Sequence, residues 1–273
     1  MIETVLSATH MPFWKQLVTS IDEVLFPRQC IVCRSFLGSS PQRDRFLASG
    51  FDNHHVLSSY LCPDCFGQCR PLESPICPRC GRMFSSRNTG DHVCGECIGD
   101  RKPFHKARAW GAYEGALLRV VYSFKYHHKT FLARPLGSLM YAVLQRHWRS
   151  NEIDLVIPVP LHPKKLRQRG FNQSCLLIRH WPHNADWAAV TEPSTDWLVR
   201  TRWTRSQTGL RRKERRANIC GAFSLQGRPP LASKNVLLID DVYTTGATVA
   251  ECARVLLDGG ARRVDVLTLA RAM

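Results

Sequence analysis

The spacing of apolar residues divides the chain into a cysteine-rich part before residue 100 and an alternating pattern after it. Between Cys30 and Cys97 apolar residues are too few to form a core without cross-links. Beyond Asp100, uninterrupted apolar runs alternate with stretches of helical periodicity. This order predicts an α/β fold with a right-handed parallel sheet and helices on both faces. The predicted strands are 107–113, 155–159, 197–200, 220–225, 236–239 and 264–270, and the predicted helices are 117–126, 131–149, one from about 172 and one ending near 257.

The first thirty residues predict a separate amphipathic helix. Apolar residues from Trp14 to Leu25 recur at helical spacing, and Pro27 ends the helix predicted over residues 12–26. Such a helix can lie on a membrane surface or pack against the following module, and we favour the second interpretation. The patterns divide the chain into an N-terminal helix (1–29), a cysteine-rich module (30–100) and an α/β domain (101–273).

The stretch 236–248, VLLIDDVYTTGAT, combines a buried strand with two acids and a turn of small residues. Its first four residues are bulky and apolar, as in a strand covered on both faces. Asp240 and Asp241 follow where open α/β sheets place their ligands. The Thr- and Gly-rich turn after them lets backbone N–H groups and hydroxyls converge on an anion at a helix start. Carboxylates suit sugar hydroxyls, so the stretch predicts a site for a phosphorylated sugar.

This stretch resembles the signature of type I phosphoribosyltransferases, which bind 5-phosphoribosyl 1-diphosphate (PRPP). The resemblance implies that the two acids hold the ribose 2′- and 3′-hydroxyls, that the turn wraps the 5′-phosphate, and that Mg²⁺ bridges PRPP oxygens. The residues so assigned to PRPP are Asp240, Asp241, Thr244, Thr245, Gly246, Ala247 and Thr248. The simpler alternative is an ordinary turn in which the acids cap the helix.

A basic turn is predicted at residues 161–170, after the second strand. Prolines stiffen it, and its cations suit a pyrophosphate, for which arginine offers a two-pronged donor and lysine a point charge. The loop at this position holds the pyrophosphate in the related transferases. Lys164, Arg167 and Arg169 are therefore candidates for pyrophosphate binding, with a solvated basic loop as the alternative.

The connector 200–216 contains eight Lys and Arg residues and one acid. Two interpretations are open. It can be the flap that closes over PRPP in transferases and excludes water, with Arg215 among its cations. It can equally be a nucleic-acid strip in which Trp203 stacks on a base. We favour the flap, because the connector lies between two predicted strands.

Eight of the twelve cysteines form four Cys-x-x-Cys pairs, a spacing that indicates metal rather than disulfides. Two such pairs complete a tetrahedral shell of four sulfurs, so the pairs predict two structural Zn²⁺ ions. Cys69 is left over and is interpreted as a small buried residue. One predicted site is Cys30, Cys33, Cys62 and Cys65, and the other is Cys77, Cys80, Cys94 and Cys97.

The formal net charge of +16 indicates a polyanionic partner, either nucleic acid or a phosphorylated ligand. Two zinc-thiolate sites lower this charge to about +12, which is still strongly basic. No targeting segment and no apolar run long enough to span a membrane are found. These absences and the free thiolates predict a cytoplasmic protein.

The order of these motifs closely resembles the competence protein ComF family (the ComFC/GntX group). The matching residues are Leu25 to Cys30, Arg169 to Gln173, Gln207, Leu210, Glu214, Arg215, Asn218, Gly221 to Phe223, and Asp240 to Thr248. The resemblance implies a double zinc ribbon followed by a type I phosphoribosyltransferase-like domain, with single-stranded DNA and a competence helicase as partners. The chain departs from the family in a long insertion at 34–61, within the first zinc site.

Two classes of function therefore stay open. One is a non-catalytic protein, binding PRPP or only DNA, that assists uptake of single-stranded DNA. The other is an active phosphoribosyltransferase on an unidentified acceptor. Neither the acceptor nor the oligomeric state follows from the sequence.

Overall fold

The computed structural model describes residues 28–37, 53–85, 90–182, 187, 193–205 and 211–273, without the side chains of 53–55 and 212. The helix predicted at 12–26 lies outside these ranges, as do Gln207 and Leu210 and most of the insertion. Within the described ranges, no helix combines the length and apolar character needed to cross a membrane.

The order of helices and strands follows the predicted α/β pattern. The helices are α1 (Asn53–Ser58), α2 (Pro63–Gly67), α3 (Gly95–Gly99), α4 (Gly115–Tyr126), α5 (Ala133–His147), α6 (Pro163–Arg169), α7 (Gln173–Ile178), α8 (Arg212–Ile219) and α9 (Ala247–Asp258). The strands are β1 (Ala107–Ala112), β2 (Leu155–Pro158), β3 (Leu198–Arg200), β4 (Phe223–Leu225), β5 (Asn235–Tyr243) and β6 (Arg263–Arg271). Short 3-10 helices lie at Thr130–Leu132 and Ser150–Glu152.

Four strands form one parallel sheet in the order β1-β6-β5-β2, which confirms the predicted parallel α/β architecture. The predicted strands at 197–200 and 220–225 do not join this sheet. Instead β3 and β4 pair with each other as an antiparallel hairpin. The assumption that the charged connector joins two strands of the main sheet is therefore wrong, because the connector closes a separate hairpin.

Residues of β5 point alternately to two cores on opposite faces of the sheet. Leu237 and Ile239 pack with α4, α5 and α7, whereas Val236 and Leu238 pack with α9. This alternation is the period of two that an extended strand imposes on its side chains. The prediction of helices on both faces is confirmed.

The cysteine-rich module packs directly against the sheet. Its segment at residues 70–72 covers the outer edge of β1, where Leu72 N donates to Trp110 O (2.9 Å) and Ala112 N to Arg70 O (2.8 Å). This pairing satisfies backbone groups that an open strand edge would expose. The first cysteine group shares the core of α4 and α5, and the second shares the core of α9. Domain boundaries at residues 30 and 100 stay a prediction.

Candidate functional site

The acidic pair lies within β5 and not beyond its end, so the predicted strand at 236–239 was too short. β5 continues to Tyr243, where it still pairs with Arg271 of β6. On its other side β2 stops, since Pro158 pairs with Ile239. Asp240 and Asp241 therefore lie just past the end of β2, on the side where β5 has no neighbouring strand. This step between strands opens a cavity at the carboxyl edge of the sheet.

Asp241 is held by two side chains from neighbouring helices. Lys125 Nζ of α4 lies 2.8 Å from Asp241 Oδ1, and Gln173 Nε2 of α7 donates to Oδ2 at 3.2 Å. Burial alone would lower the pKa of Lys125. The charge and the hydrogen bond of the Asp241 carboxylate have the larger combined effect, so the pKa of Lys125 is raised. Lys125 and Asp241 form a charged, largely buried pair.

Asp240 is the less engaged of the two acids. Ser174 Oγ lies 3.4 Å from its Oδ1, and the backbone N of Asp241 donates to the same oxygen at 2.9 Å. Burial, followed by the charge of Asp241, raises the pKa of Asp240 to about 7. Hydrogen-bond donors of a ligand, such as sugar hydroxyls, would stabilise the ionised form of this carboxyl group.

The cavity has a volume of about 560 Å³ and brings cations together with the acids. Six of the predicted site residues line it, namely Asp240, Asp241, Thr244, Thr248, Arg169 and Arg215. Further lining cations are Lys125, Lys165, Arg200 and Arg205, and the aromatic lining residues are Tyr113, Tyr126 and Trp203. Six Lys and Arg side chains against two acids make the cavity electropositive.

The predicted basic turn is mostly a helix, α6, and its geometry decides which cations reach the cavity. Pro163 occupies its first turn, and His162 Nδ1 accepts from Lys164 N at 3.2 Å, which caps the helix start. Lys165 and Arg169, four residues apart, share the face that lines the cavity. Lys164 and Arg167 are exposed and are not among the lining residues.

Arg169 is buried and lies over the ring of Tyr126, 5.0 Å from its centroid. Burial and the neighbouring cations Arg169 and Arg200 lower the pKa of Lys165. The charged form of Lys165 is disfavoured by burial and by repulsion from these cations. A bound anion would offset that repulsion and so stabilise the charged form. Lys165 was not among the candidates from sequence, although it lies beside one of them.

The turn after β5 separates two cavities, so the predicted phosphate-binding residues are divided between them. Thr244 and Thr248 line the cavity with the acids. Thr245, Gly246 and Ala247 instead line a neighbouring cavity of about 560 Å³, whose cations are Arg101, Lys102, Lys213, Arg216 and Arg254.

Gly246 is required by the shape of this turn. Its φ is +75°, in the left-handed region, and a Cβ there would lie 2.3 Å from Tyr243 Oη. Ala247 N donates to Thr245 Oγ1 at 3.4 Å, which steadies the start of α9. The conformation of this turn therefore requires a glycine at position 246, packed against the tyrosine ring.

Sequence reasoning missed several lining residues. Lys125 carried no signal, since it is one lysine in an amphipathic helix. Gln173 and its neighbour Ser174 carried a partial signal in the sequence, because Gln173 is the last residue of the Arg-Gly-Phe-Asn-Gln match to the ComF family. Asn172 of the same motif caps α7, because its side-chain oxygen accepts a hydrogen bond from Ser174 N at 3.0 Å. The motif therefore fixes the start of the helix whose first residues contact the acids.

The two predicted cysteine groups are assembled as expected. In each group all four sulfurs lie within 4.8 Å of one another. Cys33 Sγ and Cys62 Sγ are 3.6 Å apart, as are Cys80 Sγ and Cys94 Sγ. A tetrahedral zinc with Zn–S bonds of about 2.3 Å requires sulfur separations of about 3.8 Å. Both groups therefore fit structural Zn²⁺, and Cys69 is buried outside them, as predicted.

One buried arginine connects the second cysteine group with the turn of the cavity. Arg271 Nη2 lies 3.3 Å from Cys80 Sγ, and its guanidinium lies over the ring of Tyr243 at 4.3 Å. That ring is the one against which Gly246 packs. The cysteine group, the arginine, the tyrosine and the turn thus form one continuous set of contacts.

Comparison with known proteins finds a matching family model and several relatives. A family model described as "Double zinc ribbon domain" matches residues 52–98. Competence protein F of Haemophilus influenzae is 31% identical over 225 residues, which are 81% of this chain and 94% of that protein. The DNA utilization protein YhgH of Escherichia coli K12 is 30% identical over 220 residues, 78% of this chain and 91% of that one.

Two further matches are more distant. Competence protein ComFC of Bacillus subtilis is 28% identical over 219 residues, covering 78% of this chain and 84% of that protein. A solved phosphoribosylpyrophosphate synthetase from Mycobacterium smegmatis matches with a TM-score of 0.27 and 14% identity over 49% of this chain and 32% of that one, too low to carry an argument. The match to competence protein F, over nearly its whole length, shows that the chain belongs to the ComF family of competence proteins.

Proposed function

We propose that this protein binds PRPP with Mg²⁺ in the cavity at the carboxyl edge of its sheet and assists the uptake of single-stranded DNA. The observation that carries the proposal is the lining of that cavity. Two carboxylates, three threonines and six Lys and Arg side chains meet in one space of about 560 Å³. PRPP has a matching set of groups, since its ribose hydroxyls need acceptors and its phosphates need donors and cations.

In this proposal Asp240 accepts from the ribose hydroxyls, while Asp241 contributes through its pair with Lys125. Thr244 and Thr248, the two residues of the turn that line this cavity, contact the 5′-phosphate. Lys165, Arg169 and Arg215 face the diphosphate, and Mg²⁺ supplies further neutralisation of its charge when bound. Lys164 and Arg167 stay peripheral, because they are exposed on α6 outside the cavity.

The DNA part of the proposal is supported by the names of the relatives, two of which are competence proteins and one a DNA utilization protein. The net charge of +16 suits a polyanionic partner. We place the action of the protein in the cytoplasm, where thiolates remain reduced for zinc, and a helicase of the uptake machinery is a fitting partner.

Release of pyrophosphate from PRPP distinguishes a protein that only binds PRPP from one that transfers its phosphoribosyl group. Purified protein is incubated with PRPP, Mg²⁺ and a panel of nucleobases and amines, and both pyrophosphate and phosphoribosyl adducts are measured. The proposal expects no turnover above the rate of protein-free PRPP breakdown. A new adduct, formed by wild type and lost in Asp240→Asn, would instead establish a phosphoribosyltransferase.

A further inference from the structure

An unusual surface lies on the outer side of α4. Leu118, Tyr122 and Tyr126 are 38%, 48% and 48% exposed and follow one another at every fourth residue. This spacing places them in one row on the helix. The rings of Tyr122 and Tyr126 lie 4.8 Å apart, and His127 meets the Tyr122 ring edge-on at 5.4 Å. We refer to Leu118, Tyr122 and Tyr126 as the α4 stripe.

The α4 stripe lies in a stretch of the chain that has no negative charge. Residues 115–151 contain six Lys and Arg residues, three His residues and no Asp or Glu. Arg119 is exposed on α4 three residues before Tyr122, and Arg134 is exposed at the start of α5. The guanidinium of Arg169 covers the ring of Tyr126 at 5.0 Å.

At one end the α4 stripe reaches the mouth of the PRPP cavity. Tyr126 lines that cavity, as does Trp203, which is 45% exposed. Trp203 is itself contacted edge-on by His162 at 5.2 Å. Exposed aromatic rings interleaved with cations therefore run from the outer face of α4 to the hairpin on the far side of the cavity.

We infer that the α4 stripe is a stacking surface for single-stranded nucleic acid, which names the contact surface for the DNA partner of the proposed function and rests on that proposal. Bases of an unpaired strand stack on the tyrosine rings, while Arg119 and Arg134 meet its phosphates. Duplex DNA fits less well, because its bases are already stacked and paired. A second copy of this chain fits less well too, since it would bring a second surface of the same charge.

The test uses full-length zinc-loaded protein and a fluorescent oligo-dT strand of about 20 nucleotides, with affinity measured by anisotropy at fixed salt. Tyr122 is suited to substitution because it is exposed and does not line the cavity. Tyr122→Ala is expected to weaken binding about five- to tenfold, and Tyr122→Phe, which keeps the ring, to bind like wild type. Phe36→Ala is the matched control, because Phe36 is 68% exposed in the cysteine-rich module.

A second readout locates the strand directly. Oligonucleotides carrying 5-iododeoxyuridine are irradiated on the protein, and the cross-linked peptide is identified by mass spectrometry; the peptide containing Tyr122 is expected. Equal affinity of wild type and Tyr122→Ala, or equal losses in the Ala and Phe variants, would overturn the inference. So would loss of binding only in Arg211→Glu or Lys213→Glu, which would place DNA on the connector. Absence of any binding by wild type would refute the DNA part of the proposed function as well, whereas PRPP binding would be untouched.

Discussion

At the scale of single residues, the two adjacent acids have different roles. Asp241 is bound to Lys125 at 2.8 Å and to Gln173 at 3.2 Å, and both partners are anchored in helices. Asp240 has weaker contacts and a pKa raised to about 7 by burial and by its charged neighbour. The motif in the sequence treats them as a pair, but in the structure Asp241 is held by two side chains of neighbouring helices, and we propose Asp240 as the acid that a ligand contacts.

Asp240→Asn is expected to stabilise the free protein at neutral and alkaline pH. The folded-state pKa of about 7 lies above the reference value of 3.8, so ionising Asp240 costs stability as pH rises between these values. The asparagine variant avoids that cost. Its Tm should match wild type near pH 4 and exceed it at pH 8, by about 2–4 °C for each kcal/mol gained. Thermal unfolding across this pH range measures the difference, and a variant less stable than wild type at pH 8 would refute the assignment.

Asp241→Asn is expected to have the opposite effect. It leaves the ammonium of Lys125 buried without its partner, at a cost of about 3–5 kcal/mol. Denaturant unfolding at pH 7 measures this loss. Adding Lys125→Met to the same chain should recover much of it, because the stranded charge is then removed. If the double variant were as unstable as Asp241→Asn alone, the ion pair would not be the cause.

At the scale of elements, the turn between β5 and α9 is the most constrained part of the site. Gly246 has a φ of +75° and no space for a Cβ beside Tyr243 Oη. Gly227 is a natural control, since its φ is +68° but no atom lies within 4 Å of a Cβ there. The two positions share a left-handed φ, and an added Cβ would clash only at Gly246.

Gly246→Ala should therefore distort the turn and abolish protection by PRPP, whereas Gly227→Ala should cost only about 1–2 kcal/mol of stability and leave protection intact. Thermal shifts with and without PRPP and Mg²⁺ measure both effects. Equal behaviour of the two variants would mean that the clash with Tyr243 does not shape the site.

Much of the element pattern was predictable, because uninterrupted apolar residues mark β2 and β5 and mostly apolar stretches mark β1 and β6. The pairing of β3 with β4 was not, since three-residue strands carry too little pattern to reveal their partner. The helix α6 was predicted as a turn because of the prolines at and before its start, although Pro163 is favourable in the first turn of a helix. Lys125 could not be assigned at all, because only the packing of α4 on the sheet brings it to Asp241.

At the scale of the whole molecule, the cysteine-rich module and the sheet form a connected structure. The segment 70–72 completes the edge of β1, and Arg271 joins Cys80 to the ring of Tyr243. A continuous path of buried contacts therefore links the second cysteine group to the turn between β5 and α9.

Metal analysis should give two equivalents of zinc per chain in wild type. Cys33→Ser should give one, because it removes a sulfur of the first group, and Cys69→Ala should still give two, because Cys69 lies outside both groups. Cys33 is also exposed, so the first zinc should be lost to a chelator before the second. A single equivalent in wild type would remove the first site from the account.

The coupling through Arg271 predicts that loss of the second zinc weakens PRPP binding. Cys94→Ser should lower PRPP affinity although Cys94 does not line the cavity, whereas Cys33→Ser should affect it less. Fluorescence or calorimetric titration of both variants, after checking that each retains its fold by circular dichroism, measures the difference. Equal PRPP affinities in the two variants would show that the second zinc site does not influence PRPP binding through Arg271.

Isothermal titration calorimetry measures directly whether the cavity at the carboxyl edge of the sheet binds PRPP. PRPP is titrated with Mg²⁺ into wild type, into Asp240→Asn, and into Asp196→Asn, whose acid is exposed and does not line the cavity. We expect one PRPP per chain for wild type and Asp196→Asn, and no measurable binding for Asp240→Asn. Absence of PRPP binding by wild type, or unchanged binding by Asp240→Asn, would contradict this expectation.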